Sequence, residues 1–193
     1  MAMYLAPVGL ACALALVSGQ ALAEEVSADG FHAPHLSADC IWRSLPELLR
    51  DRIAAAQTLD DVSNLVSPLG AKGPKDLRTI ALRCGVPARG AEPADVAQHL
   101  IFAKSLEIWS ANQLRVGYGV EETILARAFA ASPPQARSEF AGWFIGNLDM
   151  AAAPMDAIGP MAASIGLADD QGIKLLLFYA ASRALVEQMG GTG

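Results

Sequence analysis

Prolines and glycines divide most of this chain into segments of helical length, and within each segment the apolar residues recur three and four places apart. That spacing makes one buried stripe on a helix and would scatter across both faces of a strand. The chain is therefore expected to be all-α, an irregular single-domain helical bundle of about six to eight helices. Aromatic residues are only 6% of the sequence, and abundant alanine favours helices packed closely through small side chains. No sheet of any size is expected.

The punctuation gives the elements in order. A helix opens near Ser37-Ala38-Asp39 and carries Cys40, Ile41 and Trp42. Ser44-Leu45-Pro46-Glu47 reads as a fresh start, with Ser44 as N-cap and Glu47 as the reciprocal acid. Thr58-Leu59-Asp60-Asp61 begins a short helix that should end before Pro68, because Ser67 to Pro74 holds two prolines and two glycines and reads as a loop. Another helix follows Pro74 and stops at Gly85. The longest starts at Pro93 and runs to about Leu114 before Gly117-Tyr118-Gly119 breaks it; its apolar residues wrap more than one face, which makes it central. Further helices are expected from about Val120 to Ala131, from Pro134 to about Met150, from Pro154 to Ile165 and from Asp170 to Met189.

Ahead of these lies a different kind of segment. Residues 1–23 contain no Asp, Glu, Lys or Arg, and their apolar run ends in Ala21-Leu22-Ala23, with small residues where a signal peptidase needs them. The run is well short of the ~20 residues a helix needs to cross a bilayer. Residues 1–23 are read as a cleaved signal peptide, 24–37 as a flexible N-terminal arm, 38–190 as the helical domain and 191–193 as a disordered tail. The expected location is periplasmic or secreted, with no transmembrane span in the mature chain. Cys12 admits a lipoprotein alternative, against which the Leu preceding it stands one place too near.

Once Cys12 leaves with the leader, Cys40 and Cys84 are the remaining pair of the three cysteines, and an oxidising compartment joins such pairs. A Cys40–Cys84 disulfide is predicted. Their spacing is not the close Cys-x-x-Cys of a redox pair. The chain carries 14 basic and 20 acidic residues, a net charge of −6, the wrong sign for a nucleic-acid binder. Acidic residues concentrate after Ala91, giving either a solvated face or one that meets a basic partner.

Few residues point to chemistry. His32 and His35, on either side of Ala33-Pro34, are the only place where possible metal ligands gather, a site for copper, nickel or zinc if a third ligand joins. His99 stands one turn from Asp95 and two from Glu92 on a single helix side. Glu121, Glu122, Glu139 and Asp149 are carboxylates that would serve a glycosidase if facing elements brought two together. Neither a Gly-x-Ser-x-Gly elbow nor a His-Glu-x-x-His pair occurs, so no catalytic residue is assigned and no cofactor is expected. Gly142 and Gly146 suggest a close helix crossing. Phe140, Trp143 and Phe144, with Met150, Met155 and Met161 just beyond, form either closed core or an apolar groove for a ligand or partner.

The function that follows is that of an exported, non-catalytic binding or accessory protein, contacting a protein or a small apolar ligand through a helical face or groove. The alternatives are a small envelope-polymer hydrolase using carboxylates and a metal-capturing protein using the His32/His35 arm.

Overall fold

A computed structural model describes residues 38–71, 77–86, 92–146 and 148–190. The leader, the arm with His32 and His35, and residues 191–193 lie outside the described residues. Among those described, the chain is all-α, with no strand: α1 (Ala38–Arg43), α2 (Glu47–Ala54), α3 (Leu59–Ala71), α4 (Leu77–Arg83), α5 (Pro93–Tyr118), α6 (Glu122–Ala130), α7 (Pro134–Ile145), α8 (Met155–Ser164) and α9 (Asp170–Gly190). These are nine helices where six to eight were expected, because none of the short N-terminal segments merges with its neighbour. None is long and apolar enough to cross a membrane.

The two longest helices, α5 and α9, pack against each other along most of their length and run antiparallel. Tyr118 of α5 donates to Asp169 just ahead of α9 at 2.9 Å, while Glu107 meets Arg183 at 2.9 Å further along. Leu100, Ile101, Leu106 and Leu114 from α5 and Leu176, Leu177, Ala180 and Ala181 from α9 are wholly buried between them and their neighbours. Alanine at the α9 contact lets the helix axes approach closely. The α7 helix runs antiparallel along another side of α9, tied by Arg137–Glu187 at 3.6 Å and by stacking of Trp143 on Phe178 with centroids 5.8 Å apart. On the other flank, α5 closes the end of α2: Trp109 donates to the Ala56 carbonyl at 3.0 Å and Asn112 to that of Ala54 at 2.9 Å.

Within this apolar centre one acid is buried. Glu107 is 3% exposed and accepts from Lys104 at 2.9 Å and Arg183 at 2.9 Å; Lys104 also reaches Asp39 of α1 at 3.2 Å. Burial alone would lower the Lys104 pKa, but the Glu107 and Asp39 carboxylates outweigh it and raise it. An ion so buried is tolerated because two cations and their hydrogen bonds satisfy it. The cluster fixes α1, α5 and α9 in one register.

The helix ends show which local signals were decisive. Thr58 and Asp61 form a reciprocal cap, with Asp61 N–H to Thr58 Oγ1 at 3.1 Å and Thr58 N–H to Asp61 Oδ2 at 3.0 Å. Ser44 does not cap α2: its hydroxyl donates to the Cys40 carbonyl at 2.9 Å and so closes α1, while Pro46 occupies the α2 cap position without a side-chain bond. The α3 helix continues through Pro68 to Ala71, where a loop was expected. Pro68 stands within a turn of that end, so the one hydrogen bond it removes lies where the ladder is already finishing. The α5 helix likewise passes Gly117 and stops only at Gly119, whose φ of 68° allows its N–H to bond Arg115 O at 3.0 Å.

The disulfide is present. Cys40 in α1 and Cys84 just after α4 are bonded, with Cα atoms 5.6 Å apart. It clamps α1 against the α4 turn.

Candidate functional site

The candidate site is made by the way α7 ends. Expected to reach about Met150, the helix stops at Ile145, because Leu148 takes a left-handed backbone conformation with φ 56°. An L-residue there costs about 1–2 kcal/mol. Several contacts hold it: the Leu148 N–H bonds the Trp143 carbonyl at 3.2 Å, and its half-buried side chain packs on the core. The reversal brings the Asp149 carbonyl under the Trp143 indole, which donates to it at 2.6 Å. The Asp149 carboxylate then accepts from Ala151 N at 2.9 Å and starts a single 3-10 turn, Met150–Ala152.

Beside this turn α5, α7 and α9 part to leave a groove of about 860 Å³, within the range of roughly 300–1,000 Å³ usual for small-molecule sites. Phe178, Leu185 and Met189 line it from α9, Val96 and Phe102 from α5, and Phe144 and Ile145 from α7. Leu148 and Met150 come from the turn and Leu59 from the start of α3. The aromatic lining is held in place: Phe102 meets Phe144 edge-on with centroids 5.9 Å apart, and Phe178 is backed by Trp143. Ile145 and Met150 remain 64% and 45% exposed, so apolar surface continues outside the groove.

Its polar residues are few and sit apart. Asp95 and His99 come from the first turns of α5, Gln188 from the last turn of α9 and Lys174 from the second turn of α9. Because α5 and α9 are antiparallel, Asp95, His99 and Gln188 gather at one end and Lys174 stands at the other. His99 Nδ1 lies 2.8 Å from the Asp95 carbonyl; a carbonyl only accepts, so Nδ1 carries the proton. Lys174 has no carboxylate within ion-pair distance among the described residues, and its ammonium lies over the Phe178 ring at 5.9 Å.

The six residues read from the sequence as core or groove divide between the two. Phe144 and Met150 line the groove. Phe140, Trp143 and Met161 are closed core, and Met155 is exposed on α8 away from the groove. Gly142 and Gly146 make no close helix crossing: a Cβ on Gly142 would meet nothing within 4 Å, and one on Gly146 only carbonyls of its own helix. Most of the lining, including Phe102, Phe178, Leu185 and Lys174, was not singled out in the sequence; the apolar residues encircling α5 were the available signal.

The other candidates are not assembled into a site. Glu92 is paired with Arg78 at 2.6 Å and does not join Asp95 and His99 in a ligand set. Glu139 accepts from Gln135, Glu121 is exposed, and Asp149 serves the 3-10 turn. Glu122 does share a small polar cleft of about 210 Å³ with Glu107, Lys104, Asn112 and Arg115, but the Glu107 carboxylate is committed to two cations. Among the described residues no three His, Cys, Asp or Glu side chains gather as metal ligands. Comparison with family models, with curated proteins and with solved structures finds no match to this chain.

Proposed function

We propose that this protein is an exported binding protein whose groove between α5, α7 and α9 takes an apolar ligand. One observation carries the reading: a cavity of about 860 Å³ lined mainly by aliphatic and aromatic side chains, open to solvent and floored by residues already locked in the core. Pre-formed walls avoid the ordering cost that would otherwise reduce affinity. Export is supported by the charge-free leader in the sequence and by a disulfide that an oxidising compartment would preserve.

The uncharged fluorophore N-phenyl-1-naphthylamine tests this directly. The reading expects saturable, blue-shifted emission at about one probe per chain, and its loss in Ile145→Glu, which places a charge on the groove wall at a position exposed enough to leave the fold intact. Emission that never saturates, or that Ile145→Glu leaves unchanged, would assign the signal to nonspecific surface and remove the groove from consideration.

A further inference from the structure

Resting on the reading of the groove as a ligand site, we infer that its occupant is a single-chain amphiphile with an anionic head, a free fatty acid, lying along α9 with its carboxylate at Lys174. Three features of the groove converge on that chemistry. The first is shape. Lys174, Phe178, Leu185 and Met189 follow one stripe of a single helix, so the lining extends along α9. From Lys174 to Leu185, the last apolar lining residue of α9 before the polar Gln188, the axis rises about 16 Å, the length of an extended chain of roughly twelve to fourteen carbons.

The second is the distribution of charge. Lys174 stands at one end of the apolar stripe with no carboxylate within ion-pair distance among the described residues, Asp170 standing one turn before it, while the other cations near the bundle centre, Lys104 and Arg183, are each paired with Glu107. An anionic head at this end meets the Lys174 ammonium; the α9 N-terminus itself is already met by Asp169, which accepts from Gly172 N–H at 2.9 Å, and by Asp170. The third is what lies at the opposite end. Asp95 would repel an anion, and with His99 and Gln188 it closes the apolar stripe with polar groups. A head-to-tail reversal of the ligand is therefore disfavoured, and chains too long for the stripe must push methylenes against polar side chains or out into water.

A rounded or uncharged ligand would use the cavity but leave Lys174 without a role. A membrane surface would need a broad basic face, and the chain has net charge −6. These competing occupants are separable by experiment.

Isothermal titration calorimetry of the purified protein compares dodecanoate with dodecanol, each below its aggregation limit, in the wild type, Lys174→Gln and Lys174→Arg. Lys174 is exposed, and circular dichroism confirms that the variants retain the fold. The expected result is dodecanoate binding about tenfold tighter than dodecanol in the wild type, the order of one charge-assisted hydrogen bond. Lys174→Gln should remove that preference by lowering dodecanoate affinity about tenfold and dodecanol affinity far less, and Lys174→Arg should keep it. Affinity should climb from octanoate to dodecanoate and level off by hexadecanoate. Equal binding of acid and alcohol, with no effect of Lys174→Gln, overturns the head assignment while the groove stands. Absence of binding by both ligands overturns the groove itself. Binding to phosphatidylglycerol vesicles with none to dissolved dodecanoate assigns the face to a membrane and also overturns the inference.

Discussion

Replacing Tyr179 with phenylalanine should make the protein more stable, and the gain should widen at high pH. Tyr179 lies on α9 with no exposed surface, and its hydroxyl has no hydrogen-bond partner. The Arg183 guanidinium is near enough to act on it through space but does not reach it in bonding geometry. A buried, unsatisfied hydroxyl costs about 1–3 kcal/mol, and phenylalanine fills the same ring volume. At pH 7 Tyr179→Phe is therefore expected to gain about 1–2 kcal/mol, a rise of roughly 2–8 °C in Tm for a chain of this size. The alkaline behaviour follows from the same burial. Desolvation pushes the hydroxyl pKa up to about 12, Arg183 opposing and Glu107 and Glu122 assisting. With the folded value above the unfolded one, the protonated form stabilises the fold fully below pH 10, and that stability is lost as pH rises from 10 toward 12. At pH 11 the wild type should have lost on the order of 1 kcal/mol that the variant keeps. Tyr118 is also raised, by its bond to Asp169, so the comparison with Tyr179→Phe, rather than the wild-type curve alone, isolates the buried group. Urea unfolding at pH 7 and pH 11 measures both quantities. A variant less stable than wild type at pH 7 would mean that the hydroxyl is satisfied in solution and would refute the reasoning.

Reducing the Cys40–Cys84 bond should lower stability by up to about 4 kcal/mol on the chain-entropy model, given a sequence separation of 44. That corresponds to a urea midpoint lower by roughly 1–4 M, and an unchanged midpoint in dithiothreitol would show that the link does not constrain the unfolded chain. At acid pH, Asp169 and Asp61 should both contribute. Asp169 is held below the usual carboxylate range by the Gly172 N–H and the Tyr118 hydroxyl, and Asp61 by the Thr58 hydroxyl and N–H. With folded values below unfolded ones, their stabilisation is present at neutral pH and lost as pH falls through about 4 and below. Asp169→Asn should flatten the fall in Tm between pH 5 and pH 2; a profile as steep as wild type would assign the acid transition to other groups.

Much of the bundle was legible because its signals are local. The Thr58/Asp61 cap, the glycine stop at Gly85 and the apolar spacing of α9 each follow from a few neighbouring residues, and the structure has all of them. Pro68 and Gly117 misled because both are breakers whose cost depends on position. Pro68 falls where α3 is about to end, and Gly117 keeps a helical backbone inside an α5 already fixed by α9 and by the α2 end. Ser44 shows a different limit. Its hydroxyl had two nearby uses, closing α1 or opening α2, and the choice depended on how Pro46 turns the chain.

The groove was partly hidden for a physical reason. Trp143 and Phe144 are adjacent, equally apolar and almost equally buried, yet one is sealed beneath the Leu148 turn and the other faces open space. The difference is made by a leucine in a conformation that sequence rules reserve for glycine, asparagine or aspartate, so nothing in the local pattern announces the early end of α7. Nor does spacing within one helix reveal that Phe102, Phe144 and Phe178, on three different helices, share a cavity. What the sequence did carry was an excess: α5 and α9 are apolar on more sides than one neighbour can cover. In a closed bundle that excess is consumed by additional helices. Here α3 and α7 cover part of it, and the short end of α7 leaves the remainder as the groove.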